Sequence, residues 1–275
     1  MSTQSDVPDL DVVATDVVAA LATHRQIDSF ARSSRGLSVA DAYRVTAMLR
    51  SAFAARGEKV IGRKIGFTNR HMWAAYGVQA PIWGYCTDRT TFELTTASVQ
   101  YVSDFAQPRI EPEIVFGLGK TPSPDMDALA LLGCIDWVAL CFEIVQSIFP
   151  AWKFTAADTI AANALHGALL VGQHHAIAPR NDVWRDELAS FGIELYCNGK
   201  PSEIGGGSSV LGSPLLALHH LVQLLAKDPH NPPLSAGEMV STGTLTLAQP
   251  IAGGETWTAR VHGIPLDDVT LRIAT

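Results

Sequence analysis

Residues 109–118 read "RIEPEIVFGL", an apolar run broken by two glutamates at alternate positions with a proline between them. In a strand, successive side chains point to opposite faces, so Glu111 and Glu113 share one face while Ile110, Pro112 and Ile114 share the other. Two readings are open for such a pair. The acids decorate a solvated strand face, or they converge on one point, where their repulsion demands a cation or a shared proton. Pro112 marks an edge or a bulge in a sheet, and bulges gather next to active sites. A third acid, Glu143, stands in "CFEIVQSI" (141–148), another β-like apolar run. Three carboxylates meeting in a pocket make a hard oxygen set suited to Mg2+ or Mn2+.

The texture around this stretch is β-rich. From Val60 onward, short β-branched and aromatic runs alternate with Gly, Pro, Asn and Asp, as in "KVIGRKIGFTN", "DWVALCFEIVQ", "ALLVGQ", "GIELYCNGKPSE" and "GEMVSTGTLT". Asn198-Gly199 is a two-residue hairpin signal, because both residues tolerate positive φ. Ser213-Pro214 supplies an N-cap and an N1 proline for a helix running to about Lys227. Upstream, residues 8–56 are alanine-rich with apolar positions at three and four spacing, and Ser38 with Asp41 forms a capping-box pattern. The expected organisation is α+β, with a helical extension over 1–58 and one β-rich unit over 59–275.

At 275 residues, 47% hydrophobic and 17% charged, the chain has the composition of a folded globular protein. Its 20 Lys and Arg against 27 Asp and Glu give a net charge of -7 without a basic stripe, which argues against nucleic acid as a partner. Cys86, Cys134, Cys141 and Cys197 are far apart with no CxxC pair and read as reduced core thiols. The N-terminus lacks a signal-peptide pattern and no run of about 18 uncharged apolar residues is expected to cross a membrane, so the expected location is the cytoplasm.

Seven segments in order, "GRKIGFTN", "PIWGY", "RIEPEIVFGL", "FEIVQSIF", "WKFTAADTIAANALHGALLVG", "GSSVLGSPLLALHHLVQLLA" and "GEMVSTGTLT", resemble the fumarylacetoacetate hydrolase superfamily, in its branch of 2-keto-4-pentenoate hydratases and 4-oxalocrotonate decarboxylases. The likeness runs from about residue 60 to 272. It implies a mixed β-roll or barrel-like sheet wrapped by short helices. It also implies a divalent metal, Mg2+ or Mn2+, held by Glu111, Glu113 and Glu143. The ion would bind a small 2-oxo acid through its carboxylate and keto oxygens and stabilise an enolate. Lys64 stands where the branch has its proposed acid/base lysine, with a pKa expected to be lowered by apolar neighbours and a bound cation. Lys153 matches a second recurrent lysine. Thr68, Asn163, His166 and Thr244 fall in the segments expected to bind substrate, and Thr242-Gly243-Thr244 resembles a turn whose donors face the bound acid. The resemblance further implies a role in aromatic compound catabolism, a homo-oligomer and association with a partner pathway enzyme.

The chain departs from the branch in two places. Ile82 and Trp83 follow Pro81 where an acid is usual, and "AANALHGA" puts Ala162, Leu165 and His166 where the branch has an aspartate and two serines. These changes replace polar groups by apolar ones, an indole and an imidazole, and favour a bulkier or more apolar substrate tail. His166 is a candidate compensating acid/base. Hydration or decarboxylation is therefore expected. Acylpyruvate-type C–C hydrolysis would need a His–Glu pair before the E-x-E motif, and His71 has no glutamate beside it before Glu93. A protein that only binds or scaffolds a small acid is the non-enzymatic alternative.

Overall fold

The computed structural model describes residues 9–32, 36–70 and 73–275, so His71 lies outside the described residues. Fourteen strands follow in chain order: β1 (Val60–Gly66), β2 (Ile82–Thr87), β3 (Thr91–Glu93), β4 (Val99–Tyr101), β5 (Arg109–Leu118), β6 (Ile135–Val145), β7 (His166–Val171), β8 (His175–Ala176), β9 (Gly192–Cys197), β10 (Lys200–Gly206), β11 (Met239–Thr244), β12 (Gln249–Pro250), β13 (Thr256–His262) and β14 (Val269–Ala274). The helices are α1 (Leu10–Thr23), α2 (Val39–Ala55), α3 (Trp73–Tyr76), α4 (Ala128–Leu132), α5 (Ala156–Ala161), α6 (Asn181–Ser190) and α7 (Pro214–Leu225). Nine strands form one mixed sheet in the order β2-β1-β11-β5-β6-β7-β3, with β12 on β5 and β8 on β6. A five-stranded sheet, β10-β9-β13-β14-β4, completes the fold.

Local signals in the sequence are realised. Asn198 and Gly199 join β9 to β10 with φ of 51° and 74°, and Ser213 caps α7 by accepting from the Leu215 N–H. Ser38 caps α2 by accepting from the Asp41 N–H. The stretch Gly207–Leu225, a 3-10 turn followed by α7, has the length and mean apolar character to cross a membrane, but Ser208, Ser209, Ser213, His219, His220 and Gln223 interrupt it, so it is not the continuous apolar run that the sequence lacks. Its leucines 215, 218, 221 and 225 are buried on the molecule's own core, which makes it a core helix. Three of the four cysteines are buried, Cys197 is half-buried, and all four are free thiols.

The large sheet has two faces of different character. Even-numbered residues of β5 and β6, among them Ile110, Ile114, Phe142 and Ile144, join the main apolar core together with Val17, Val45 and Leu49 of α1 and α2. The helical extension therefore shares one core with the sheet. The odd-numbered face is enclosed and carries a smaller cluster of Cys86, Val115, Ala139, Cys141, Leu169 and Val171. The glutamates open from this inner face.

Pro112 sits in a central strand between β11 and β6, not at an edge. Its carbonyl accepts from the Leu245 N–H at 2.9 Å. A residue's N–H and C=O point to the same side of a strand, so its missing donor also faces β11. There the register slips by one residue between Ser241 and Thr244. The expected bulge is present, on the neighbouring strand.

Candidate metal centre and cleft

In the antiparallel pairing of β5 with β6, Glu111 lies directly opposite Glu143, and Glu113 is one pleat further along the same face. One carboxylate oxygen from each of the three lies within 4.8 Å of the others. Glu113 and Glu143 have no exposed surface, which excludes a solvated acidic face. Like charges directly across a sheet destabilise it, so the cluster needs compensation.

The chain supplies part of it. Glu113 Oε2 accepts from Ser241 Oγ at 2.5 Å and from the Gly243 N–H at 2.9 Å. The bulge in β11 aims that N–H. Gly243 has φ 105°, and a Cβ there would lie 2.0 Å from Thr68 Oγ1, so only glycine fits. Glu143 Oε1 pairs with His166 Nδ1 at 2.8 Å, and Lys64 Nζ lies 3.0 Å from Glu143 Oε2 while donating to the Ala164 carbonyl at 3.1 Å. The Lys64 contact has ion-pair distance without hydrogen-bond alignment, so Glu143 Oε2 retains an unused lone pair, as does the buried Glu113 Oε1.

Electrostatics follow from this crowding. Burial raises the Glu111 carboxyl to about 7, against the opposing pull of Lys64. Burial, with the charges of Glu143 and Glu111, pushes Glu113 well above the carboxylate range. Burial also acts to raise Glu143, but Lys64 and His166 outweigh it and hold this carboxyl low. Burial disfavours the Lys64 ammonium, yet Glu143, Glu111 and Glu113 together raise its pKa. The expectation of a lowered lysine pKa is thus reversed among the protein's own groups, because three acids outweigh two apolar neighbours. Burial likewise disfavours charge on His166, and the Cys86 sulfur and Glu143 carry it up to about 10.

The two orphaned buried oxygens, the hard donor set and the short separations fit Mg2+ or Mn2+ at Glu111, Glu113 and Glu143.

The centre opens into a cleft of about 240 Å³ lined by Lys64, Thr68, Glu111 and Thr244, with Ile82, Phe154 and Leu165 on its apolar wall. Thr68 Oγ1 is buried and unpartnered, whereas the Thr244 hydroxyl donates to the Thr246 carbonyl at 3.0 Å.

The remaining expected residues stand elsewhere. Lys153 is exposed and absent from the cleft lining, because the turn Pro150–Trp152, with φ of 56° at Ala151 and 57° at Trp152, sets Trp152 and Phe154 against the cleft and leaves Lys153 outside. Asn163 clamps β2: Tyr85 N–H donates to its Oδ1 at 2.7 Å and its Nδ2 donates to the Tyr85 carbonyl at 2.9 Å. A Cβ on Gly84 would come 2.4 Å from the Asn163 carbonyl, which is why the clamp needs a glycine beside it. Trp83 faces the main core, stacked on Tyr43, and His166 sits behind Glu143. The apolar wall therefore comes from Ile82 and Leu165, not from the indole or the imidazole. The Gly243 N–H binds Glu113 and Thr242 Oγ1 donates to the Ile114 carbonyl, so these two groups serve the protein and not a bound acid.

Sequence reasoning missed Ser241, the Ala164 carbonyl and Arg109. Alternation in "MVSTGT" puts Ser241 and Gly243 on one face, a usable signal. Arg109 lies on the Glu111 face of β5 and stacks on Trp152, guanidinium carbon 4.1 Å from the ring centre.

The sequence matches the fumarylacetoacetate (FAA) hydrolase C-terminal domain over residues 63–269. The chain belongs to the fumarylacetoacetate hydrolase family. Within this family it is 33% identical over 229 residues to a 2-hydroxyhexa-2,4-dienoate hydratase of Comamonas testosteroni, covering 83% of this chain and 84% of that one. It is 32% identical over 259 residues to a 4-oxalocrotonate decarboxylase of Pseudomonas sp. (strain CF600), covering 90% and 94%. The 4-oxalocrotonate decarboxylase from Pseudomonas putida G7, solved with magnesium and adipate, superposes with a TM-score of 0.86 at 28% identity over 96% of this chain and 97% of that one. The mixed β-roll of the family is the fold described above.

Proposed function

We propose that the chain is a divalent-metal-dependent lyase of a short 2-oxo or 2-hydroxydienoic acid, hydrating its substrate, and that it works in aromatic compound catabolism. The observation that carries this reading is the buried triad Glu111, Glu113 and Glu143 meeting Lys64 at the end of an apolar cleft. Mg2+ or Mn2+ bound by the triad supplies a Lewis acid for the 2-oxo acid's oxygens. Lys64, kept as an ammonium by its acidic neighbours, is placed to give the proton that the dienol's terminal carbon takes up as it ketonises on the way to hydration, or the proton that the dienolate oxygen takes up after CO2 leaves. The Ala164 carbonyl and Glu143 fix its Nζ at the cleft floor. Thr68 offers a free hydroxyl to the substrate carboxylate, and Ile82, Leu165 and Phe154 give the hydrocarbon tail an apolar wall.

Arg109 favours a second reading, decarboxylation of a dienedioic acid. It is two residues from Glu111 on the same strand face, thus about 7 Å further out, and it lines the cleft, with its charge also acting on Glu111. A six-carbon acid spans about 6 Å from one carboxyl carbon to the other, from bonds of about 1.5 Å, enough to reach it. We further infer a homo-oligomer in the cytoplasm, working beside a partner enzyme of the same route.

The test is incubation with Mg2+ or Mn2+ and either 2-hydroxypenta-2,4-dienoate or 2-oxo-3-hexenedioate, following ultraviolet absorbance and CO2 release. Loss of the dienoate without CO2 supports hydration, and CO2 from the dienedioate supports decarboxylation. Tight acid binding with no turnover of either refutes both in favour of a binding protein.

A further inference from the structure

Glu143 is approached from two sides. Lys64 stands on the cleft side, and His166 on the other, where a second cavity of about 330 Å³ is lined by His166, Thr90, Gln146 and Asn163. His166 Nδ1 is 2.8 Å from Glu143 Oε1, and its Nε2 is 3.0 Å from Thr90 Oγ1. Thr90 is itself fixed, since its Oγ1 accepts from the Thr87 N–H at 3.1 Å.

The backbone is bent to make this contact. Along β6 and β7, Glu143 pairs with Leu169 and Ile144 with Ala168, but Val145 then pairs with His166, leaving Gly167 as an extra residue. Regular alternation would turn His166 toward the main core. The one-residue slip turns it to the inner face, where Glu143 lies. A Cβ on Gly167 would meet the Ile144 carbonyl at 2.6 Å, so the slip needs glycine.

With Oε1 committed to an imidazole N–H, Glu143 is held in one rotamer, which leaves Oε2, 3.0 Å from Lys64 Nζ, as the oxygen without a hydrogen bond in a triad whose carboxylates approach within 4.8 Å. The imidazole presents Nδ1–H to Glu143 whether its Nε2 accepts from or donates to Thr90, so this geometry holds in either protonation state. We propose that His166, steadied by Thr90, is a positioning residue that aims Glu143 Oε2 at the cation and thereby sets the affinity for metal. The role rests on the metal-binding reading of the triad and concerns residues that touch neither substrate nor ion.

The test is calorimetric titration of Mn2+ into the full chain, with no substrate present. His166→Leu removes the donor and should weaken Mn2+ binding by about 10- to 100-fold, the range for groups that orient metal ligands. His166→Asn places a side-chain NH2 where Nδ1–H stands and should recover most of that loss. Thr90→Val should weaken binding several-fold, whereas Thr90→Ser should match the parent chain. A folded His166→Leu that binds Mn2+ as tightly as the parent, or that His166→Asn fails to improve upon, overturns the proposal. If His166→Leu does not fold, equal affinities of Thr90→Val and Thr90→Ser overturn it. A parent chain that binds no Mn2+ overturns the metal reading along with it, whereas equal binding by parent and variants removes the positioning role alone.

Discussion

Glu113→Gln should change the stability of the protein in opposite directions depending on whether a divalent cation is supplied. The glutamine keeps an oxygen for Ser241 and Gly243, so both hydrogen bonds to that side chain survive. What disappears is one charge among three acids within 4.8 Å of one another. At an effective dielectric of about 20, two unit charges at that distance repel by about 3 kcal/mol. Burial already shifts the Glu113 carboxyl well upward, so part of this repulsion is relieved by protonation before the substitution is made. A net gain of about 1–3 kcal/mol remains, roughly 2–10 °C in Tm for a chain of this size. The parent chain with Mg2+ at about 100 times its Kd gains about 2.7 kcal/mol from the ion; the variant, lacking a ligand, should gain almost none. Differential scanning calorimetry in chelator and in excess Mg2+ reads all four melting temperatures. A variant that melts lower than the parent in chelator and still rises with Mg2+ refutes the reasoning.

Lys64→Gln, assayed at saturating Mg2+, should lower kcat by about 100- to 10,000-fold, the usual contribution of a proton-transferring side chain, while calorimetry finds Mg2+ still bound; a change in KM alone would contradict this role. In chelator, urea melts should show stability falling as pH rises from about 4.5 to about 7. Glu111, shifted from its ordinary 4.5 up to about 7, binds a proton in the folded state that the unfolded chain has released. The share of Glu111 in this loss amounts to about 3 kcal/mol at most, since it is only partly buried, and is complete by about pH 7, while Glu113 and His166, raised further, carry the fall to higher pH. Stability that rises over this interval would count against it. Arg109→Gln should raise KM for 2-oxo-3-hexenedioate about tenfold, the loss of about 1.4 kcal/mol of charge-assisted binding, and leave KM for 2-hydroxypenta-2,4-dienoate unchanged; equal effects on both acids would exclude selective reading of the second carboxylate. Asn163→Ala should cost about 2–4 kcal/mol in urea melts by orphaning the buried Tyr85 amide and carbonyl, and a fully stable variant would show that the clamp on β2 is dispensable.

The acidic triad was legible because the strand period of two puts Glu111 and Glu113 on one face and the flanking residues are uniformly apolar. The third member was legible only as a buried acid in a second strand, since nothing in a linear pattern gives the pairing of Glu111 with Glu143. Where the reading failed, a local irregularity intervened. His166 was assigned to the substrate, but the slip at Gly167 turns it to the back of Glu143. Lys153 is turned out of the cleft by the left-handed turn at Ala151 and Trp152, while the two aromatic residues beside it line the cleft. The lysine pKa was misjudged because the carboxylates that raise it come from two other strands, and burial alone argues the opposite sign. Pro112 announced a bulge correctly but on the wrong strand, for its missing donor is absorbed by a slip in β11.

The sheet order also dictates when the centre becomes available during synthesis. Lys64 leaves the ribosome first, then Glu111, Glu113 and Glu143, yet β1 cannot settle next to β5, because β11 must lie between them. That strand, residues 239–244, emerges nearly a hundred residues after Glu143 and brings Ser241 and Gly243 with it. A growing chain therefore holds every acid long before it holds an organised site, and a chain cut ahead of residue 239 carries all three acids without the strand that joins β1 to β5.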